Sequence, residues 1–207
     1  MTSSARFWDR HAEGYAKKPV ADEAAYQHKL AITRRYLRAD TRLLEFGCGT
    51  GSTALVHAPL VKHIDAIDIS AKMIEIARRK ADGATVGNVS FAQASIEAFG
   101  APDASFDVVL GMSILHLLRD WQGAIAKVHR LLKPGGAFVS STACIRDMSS
   151  VLGVVLPMGH AVGLLPSLSV FRVAELRQAL QQAGFAIDYE WTPGKRKAVF
   201  IVAQKAR

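Results

Sequence analysis

Residues 43–51 read Leu43-Leu44-Glu45-Phe46-Gly47-Cys48-Gly49-Thr50-Gly51, an apolar run that breaks into three alternating glycines. A second apolar run, Ile64-Asp65-Ala66-Ile67-Asp68, ends on a carboxylate. The pairing is what a strand–loop–helix–strand unit needs to hold an adenosine-containing cofactor. Glycines let the backbone approach a ligand closely and adopt positive φ, and a carboxylate at the tip of the next strand can accept hydrogen bonds from both ribose hydroxyls. The dinucleotide fingerprint Gly-x-Gly-x-x-Gly would place its third small residue at Ser52 rather than Gly51. A nicotinamide reading is thus off in spacing. For the loop taken alone, a tight strand-to-helix turn without a ligand is the alternative.

Apolar runs alternate with amphipathic segments on either side of this loop. The pattern predicts strands over residues 41–46, 63–68, 89–93, 106–111, 137–141, 185–191 and 198–203, and helices over 52–58, 71–81, 121–132 and 173–183. The unbroken apolar character of Val108-Val109-Leu110 and Ala137-Phe138-Val139 fits strands covered on both faces, as in a parallel sheet. Lys133-Pro134-Gly135-Gly136 supplies a helix stop and a turn. The connection Thr192-Pro193-Gly194-Lys195 is too short for a crossover helix, so the last two strands must be antiparallel neighbours. The expected fold is α/β: a seven-stranded, mostly parallel, doubly wound sheet with a reversed last strand. A chain of 207 residues, half of them hydrophobic, favours one domain. Within 1–207 the expected parts are an N-terminal helical cap (1–40), a cofactor-binding core (41–145), an apolar lid insertion (146–170), and a C-terminal helix with the antiparallel strand pair (171–207).

The ordered series Leu43–Gly51, Ile67-Asp68-Ile69-Ser70, Phe106-Asp107-Val108-Val109 and Leu131-Leu132-Lys133-Pro134-Gly135-Gly136 resembles the class I S-adenosylmethionine-dependent methyltransferases, with their Rossmann-like fold. Within them it is similar to the small-molecule enzymes of the ubiquinone/menaquinone-biosynthesis type. The resemblance is strong over about residues 40–142, and the reversed last strand agrees with it. It implies S-adenosylmethionine as cofactor, S-adenosylhomocysteine as product, and a small, partly apolar organic acceptor. It places Glu45, Gly47, Cys48, Gly49 and Gly51 around the methionine end, Asp68 on the ribose, and Ile69 and Met73 beside the adenine. Ser95 stands where the family usually carries an aspartate for the adenine amino group, and the backbone of Ile96 is a further adenine contact. Gly111 and Ser113 follow the fourth strand at the cofactor–acceptor junction, while Tyr15 and Tyr26 close over the cofactor from the N-terminal helices.

Some of these residues have a plainer reading. Met73 suits core filling on an apolar helix face, and Tyr26 suits core packing. Asp68 could cap the following helix, although Ser70 is better placed for that.

Methyl transfer from a sulfonium has a good, neutral leaving group, so positioning and exclusion of water supply much of the rate and a general base is optional. His116, in Ser113-Ile114-Leu115-His116-Leu117, is the candidate base; a histidine packed between leucines is the alternative. His160 and Asp147 are weaker candidates. No Asn/Asp-Pro-Pro-Tyr run follows the fourth strand, which disfavours amino methylation by that motif.

The net charge of +8 is carried by short, dispersed clusters such as Lys17-Lys18 and Arg78-Arg79-Lys80. That makes a basic solvated surface a better reading than a nucleic-acid footprint. An RNA or ribosomal-protein methyltransferase and a non-catalytic cofactor-binding protein stand as alternatives. Two isolated cysteines, Cys48 and Cys144, argue against a disulfide framework or a zinc site. With no signal-peptide pattern at the N-terminus, a cytoplasmic location is expected. Residues 148–170 are almost uncharged, but their prolines and glycines oppose a transmembrane helix. They suit a lid over the acceptor, or else a homodimer or peripheral membrane surface.

Overall fold

The computed structural model describes residues 3–148 and 168–207. Most of the expected lid, and His160 with it, lies outside the described residues. The chain divides into two compact units, Met1–Phe99 and Gly100–Arg207.

The first unit opens with helices α1 (Ser3–Lys17) and α2 (Glu23–Arg34), followed by strand β1 (Arg42–Phe46), helix α3 (Ser52–His57), strand β2 (His63–Asp68), helix α4 (Ala71–Gly83) and strand β3 (Val89–Gln93). The strands are parallel, with Leu43 opposite Ile64 and Asp68 opposite Gln93. Leu43, Leu44 and Phe46 are all buried, which explains the lack of polar alternation in β1, while β2 alternates half-buried His63 and Asp65 with buried Ile64 and Ala66. Helix α3 stops one residue short of the expected end. Pro59 lacks the N–H an α-helix would need there, and the chain tightens into a 3₁₀ turn over Ala58–Leu60. Helix α4 starts where Ser70 accepts from the Met73 N–H at 3.1 Å.

The second unit contains β4 (Phe106–Met112), α5 (Trp121–Leu131), β5 (Leu132–Thr142), α6 (Ile145–Met148), α7 (Val173–Gln182), β6 (Phe185–Trp191) and β7 (Val199–Lys205). β4 and β5 are parallel, and β7 runs antiparallel to both β5 and β6. The reversed strand expected from the short 192–198 connection is therefore present. Strand β5 begins earlier than expected, at Leu132, because Leu132 pairs with Phe106 while Ala137 pairs with Val108. Residues 133–136 fall in this register shift as a bulge, with Lys133 donating to Asp107 at 2.8 Å. Within the first unit the strand order is β3-β2-β1, and within the second it is β4-β5-β7-β6. Parallel strands of a doubly wound sheet direct ligands to their C-terminal ends, and Glu45 and Asp68 sit at those ends of β1 and β2. No helix among the described residues is long and apolar enough to cross a membrane.

Candidate cofactor site

The loop after β1 turns through three left-handed glycines: Gly47 at φ 66°, Gly49 at 53° and Gly51 at 75°. Internal bonds hold it, with the Cys48 N–H donating to the Ile67 carbonyl and the Gly51 N–H to the Cys48 carbonyl, each at 3.0 Å. Asp68 is 9% exposed and fastens the loop to the strand beside it. Its Oδ2 accepts from the Gly49 N–H and its Oδ1 from the Ser70 N–H, both at 2.9 Å. A carboxylate offers about four acceptor positions, so capacity for a ribose hydroxyl is left beside these backbone donors. Burial raises the Asp68 pKa, the backbone N–H groups of Ser70, Gly49 and Ile69 oppose that rise, and Asp9 adds to it.

Glu45 is buried, and its Oε2 has no hydrogen-bond partner among the described residues. Burial, with the Asp68 charge nearby, lifts its pKa to about 8. An unpartnered buried carboxyl oxygen is costly to keep, and a ligand ammonium is the group that would satisfy it. Burial and the same two carboxylates push the Cys48 thiol well up, so it is inert as a nucleophile. Tyr15, half exposed on α1, lies over the loop, its Cε1 3.9 Å from where a Cβ on Gly49 would stand. Burial and the Asp68 and Glu45 charges raise its pKa and keep the hydroxyl protonated.

The remaining expected residues divide by place. Ile69 follows β2, and its carbonyl accepts from Gln93 Nε2 at 3.1 Å. Met73 is 3% exposed and packs with Ala12 and Ile76. Ser95 caps the turn after β3, accepting from the Ala98 N–H at 3.3 Å, and Ile96 is buried beside it. Tyr26 is half-buried on α2; the ring over the loop is that of Tyr15.

In the second unit, Gly111 lies buried on β4 opposite Ser140. Ser113 is held at φ 58°, a strained value for a residue with a side chain, by its N–H bond to the Ser141 carbonyl at 2.7 Å. His116 follows in a 3₁₀ turn over Leu115–Leu117. Its Nδ1 is buried without a partner among the described residues, and burial lowers its pKa to about 4, leaving a neutral imidazole at physiological pH. Asp147 is engaged structurally, its Oδ2 accepting from the Val173 N–H at 2.7 Å at the start of α7.

Two residues escaped the sequence reading. Lys80 donates to Thr50 Oγ1 at 2.9 Å and Ser52 Oγ at 3.1 Å, clamping the loop from α4. Asp9 on α1 accepts from Ser70 Oγ at 2.7 Å and from the Lys72 N–H at 3.1 Å. Helical spacing gave a faint signal for each: Lys80 follows Met73 and Ala77, and Asp9 precedes Ala12 and Ala16, along buried stripes. Among the described residues no group of three or more His, Cys, Asp or Glu could hold a metal ion.

The family model described as a methyltransferase domain matches residues 43–136. A ubiquinone biosynthesis O-methyltransferase of Aromatoleum aromaticum is 32% identical over 159 residues, covering 74% of this chain and 67% of the relative. The chain belongs to the class I S-adenosylmethionine-dependent methyltransferases. An uncharacterized methyltransferase of Bacillus subtilis, YcgJ, is 34% identical over 139 residues, covering 67% of this chain and 54% of the relative. The solved YcgJ structure superposes with a TM-score of 0.74 at 21% identity, over 87% of this chain and 99% of that one. The [4+2]-cyclase SpnF shares the fold at a TM-score of 0.82 and 21% identity, over 100% of this chain and 97% of its own. The chain spans about half the length of several curated relatives, 54% and 48% of two among them.

The family's donor is S-adenosylmethionine, and the residues present fit it. Glu45 offers an unpartnered carboxyl oxygen that an ammonium beside it would ionise, the glycine backbone offers close approach, and Asp68 has acceptor capacity for the ribose. Replacing Asp68 with Ala should weaken S-adenosylhomocysteine binding by about 1–3 kcal/mol, read by titration calorimetry. Affinity unchanged within twofold would remove Asp68 from the site.

Proposed function

We propose that this chain moves the methyl of S-adenosylmethionine onto oxygen, nitrogen or an acidic carbon of a small, partly apolar organic acceptor. The observation that carries the donor half is the buried, unpartnered Glu45 Oε2 beside the left-handed glycine loop. When bound, the donor supplies an electrophilic methyl on a sulfonium whose departure leaves a neutral thioether. The chain's own residues then have distinct tasks. Glu45 holds the ammonium end, Asp68 the ribose, and Tyr15 covers the loop. His116, neutral and with Nδ1 unpartnered among the described residues, would take the proton that the acceptor oxygen, nitrogen or carbon gives up.

Several relatives support an organic acceptor by name. They include a ubiquinone biosynthesis O-methyltransferase, a malonyl-[acyl-carrier protein] O-methyltransferase and a 27-O-demethylrifamycin SV methyltransferase. Surface cations support it too. Arg42 pairs with Asp65, Lys72 with Glu75, and Arg79 with Glu13 and Glu75, as in an ordinary solvated face rather than a phosphate track.

Calorimetry with S-adenosylhomocysteine tests the donor half, and absence of binding at high micromolar concentration would refute it. The acceptor half is read as labelled methyl appearing in phenols, hydroxyquinones and carboxylic acids. Product must be measured directly, because SpnF shows the same fold in a cyclase. His116→Ala should lower turnover most for weakly acidic acceptors; an equal loss for all acceptors would exclude a role as base.

A further inference from the structure

The site's cover is fastened to α4 by a residue of its own helix. Helix α1 packs on α4 through Trp8, Ala12 and Ala16 against Met73 and Ile76. Ala12 is fully buried, so the two helices approach closely there. An apolar seam of this kind limits the distance between helices but fixes their register weakly, since small side chains slide past one another. The Glu13–Arg79 ion pair, 3.3 Å and well exposed, adds little. Asp9 supplies what the seam lacks. One oxygen, Oδ1, accepts from both the Ser70 hydroxyl and the Lys72 N–H, directional bonds that a shift of α1 along its axis would break.

These contacts close a ring. The Gly49 N–H donates to Asp68, the Ser70 N–H donates to the other Asp68 oxygen, and the Ser70 hydroxyl donates to Asp9. From Asp9, α1 runs about 9 Å, at 1.5 Å per residue, to Tyr15, whose ring lies 3.9 Å from where a Cβ on Gly49 would stand. Ser70 is fully buried and also caps α4, so its hydroxyl has one orientation that serves both neighbours.

We propose that Asp9 is a positioning residue for the donor site: its hydrogen bonds to Ser70 and Lys72 set the register of α1 and hold Tyr15 over the glycine loop. The proposal rests on the donor reading above for its effect on binding, but not for the latch itself. Asp9→Ala should speed amide exchange of residues 3–17 in the ligand-free protein at least tenfold while residues 71–83 keep their protection. It should also raise the Kd for S-adenosylhomocysteine at least tenfold. Asp9→Asn keeps an oxygen for both donors and should restore both readings to within threefold of wild type. Glu13→Gln, which breaks only the surface pair, should change neither by more than twofold.

Unaltered exchange of α1 in Asp9→Ala would overturn the proposal. So would equal loss in Asp9→Asn, which would assign the effect to charge rather than to hydrogen bonding. If wild type fails to bind S-adenosylhomocysteine, the donor reading falls, and the exchange measurement alone decides the latch.

Discussion

Affinity for S-adenosylhomocysteine should rise about tenfold per pH unit from pH 6 to about 8 and level off above. The cause is Glu45, which burial and the Asp68 charge keep protonated until about pH 8 in the free protein. A ligand ammonium against Oε2 favours the carboxylate, so binding expels the proton, and lower pH opposes binding. If the bound-state pKa falls below 6, the gain across that window approaches a hundredfold, about 2.7 kcal/mol. Glu45→Gln is a near-isosteric mimic of the protonated form. It should match wild type at pH 6, fall behind as pH rises, and bind with a flat profile. Proton release can be read independently, from calorimetric enthalpies in buffers of different ionisation heat. A wild-type affinity that is flat between pH 6 and 8 would remove the ammonium from Glu45.

The same group shapes the stability of the ligand-free protein. A folded pKa raised above the unfolded value of 4.5 gives a contribution present below pH 4.5 and lost as pH rises through about 8. Glu45→Gln should therefore be more stable than wild type at pH 8. His57 and His116 act in the opposite direction. Burial lowers both to about 4, with Arg34 adding to the effect on His57, so their contribution is full above pH 6.5 and lost as pH falls through 4. The ligand-free protein is squeezed from both sides, and cofactor relieves only the alkaline one.

What could be read in the sequence follows the physics of each feature. β1 and β4 were legible because strands covered on both faces have no polar alternation to confuse them. The reversed β7 was legible because a connection as short as 192–198 admits only one strand direction. Glu45 could be named from the motif around it, but its unsatisfied oxygen depends on burial by neighbours, which no local pattern reports. Asp9 left only a faint trace for a related reason: a carboxylate on a surface helix is usually solvated, and its partners Ser70 and Lys72 are set by how α1 docks. The bulge at 133–136 was read as a turn because proline and glycine signal local geometry, whereas membership of β5 depends on the pairing of Leu132 with Phe106.

Gly51→Ala should destabilise the protein far more than Gly49→Ala, although both glycines are left-handed. Each substitution carries the backbone cost of a side chain at positive φ, about 1–2 kcal/mol. At Gly51 a Cβ would also stand 2.8 Å from Phe91 Cε1 and 2.9 Å from Ala77 Cβ. Phe91 is 7% exposed and Ala77 fully buried, so neither can retreat into solvent. Overpacking of that kind costs a further 1–3 kcal/mol or so. The total, about 2–5 kcal/mol, corresponds to a fall in Tm of roughly 5–20 °C for a domain of this size. At Gly49 a Cβ would meet only the Tyr15 ring at 3.9 Å, an ordinary contact, so the fold should survive with only the backbone cost. Its methyl would instead stand between the loop and Tyr15, where the donor reading puts the ligand. Gly51→Ala should therefore be recognised by thermal unfolding, and Gly49→Ala by lost S-adenosylhomocysteine binding in a folded protein. The reverse order of unfolding temperatures would mean that Phe91 and Ala77 can move apart, and that Gly51 is needed only for its φ.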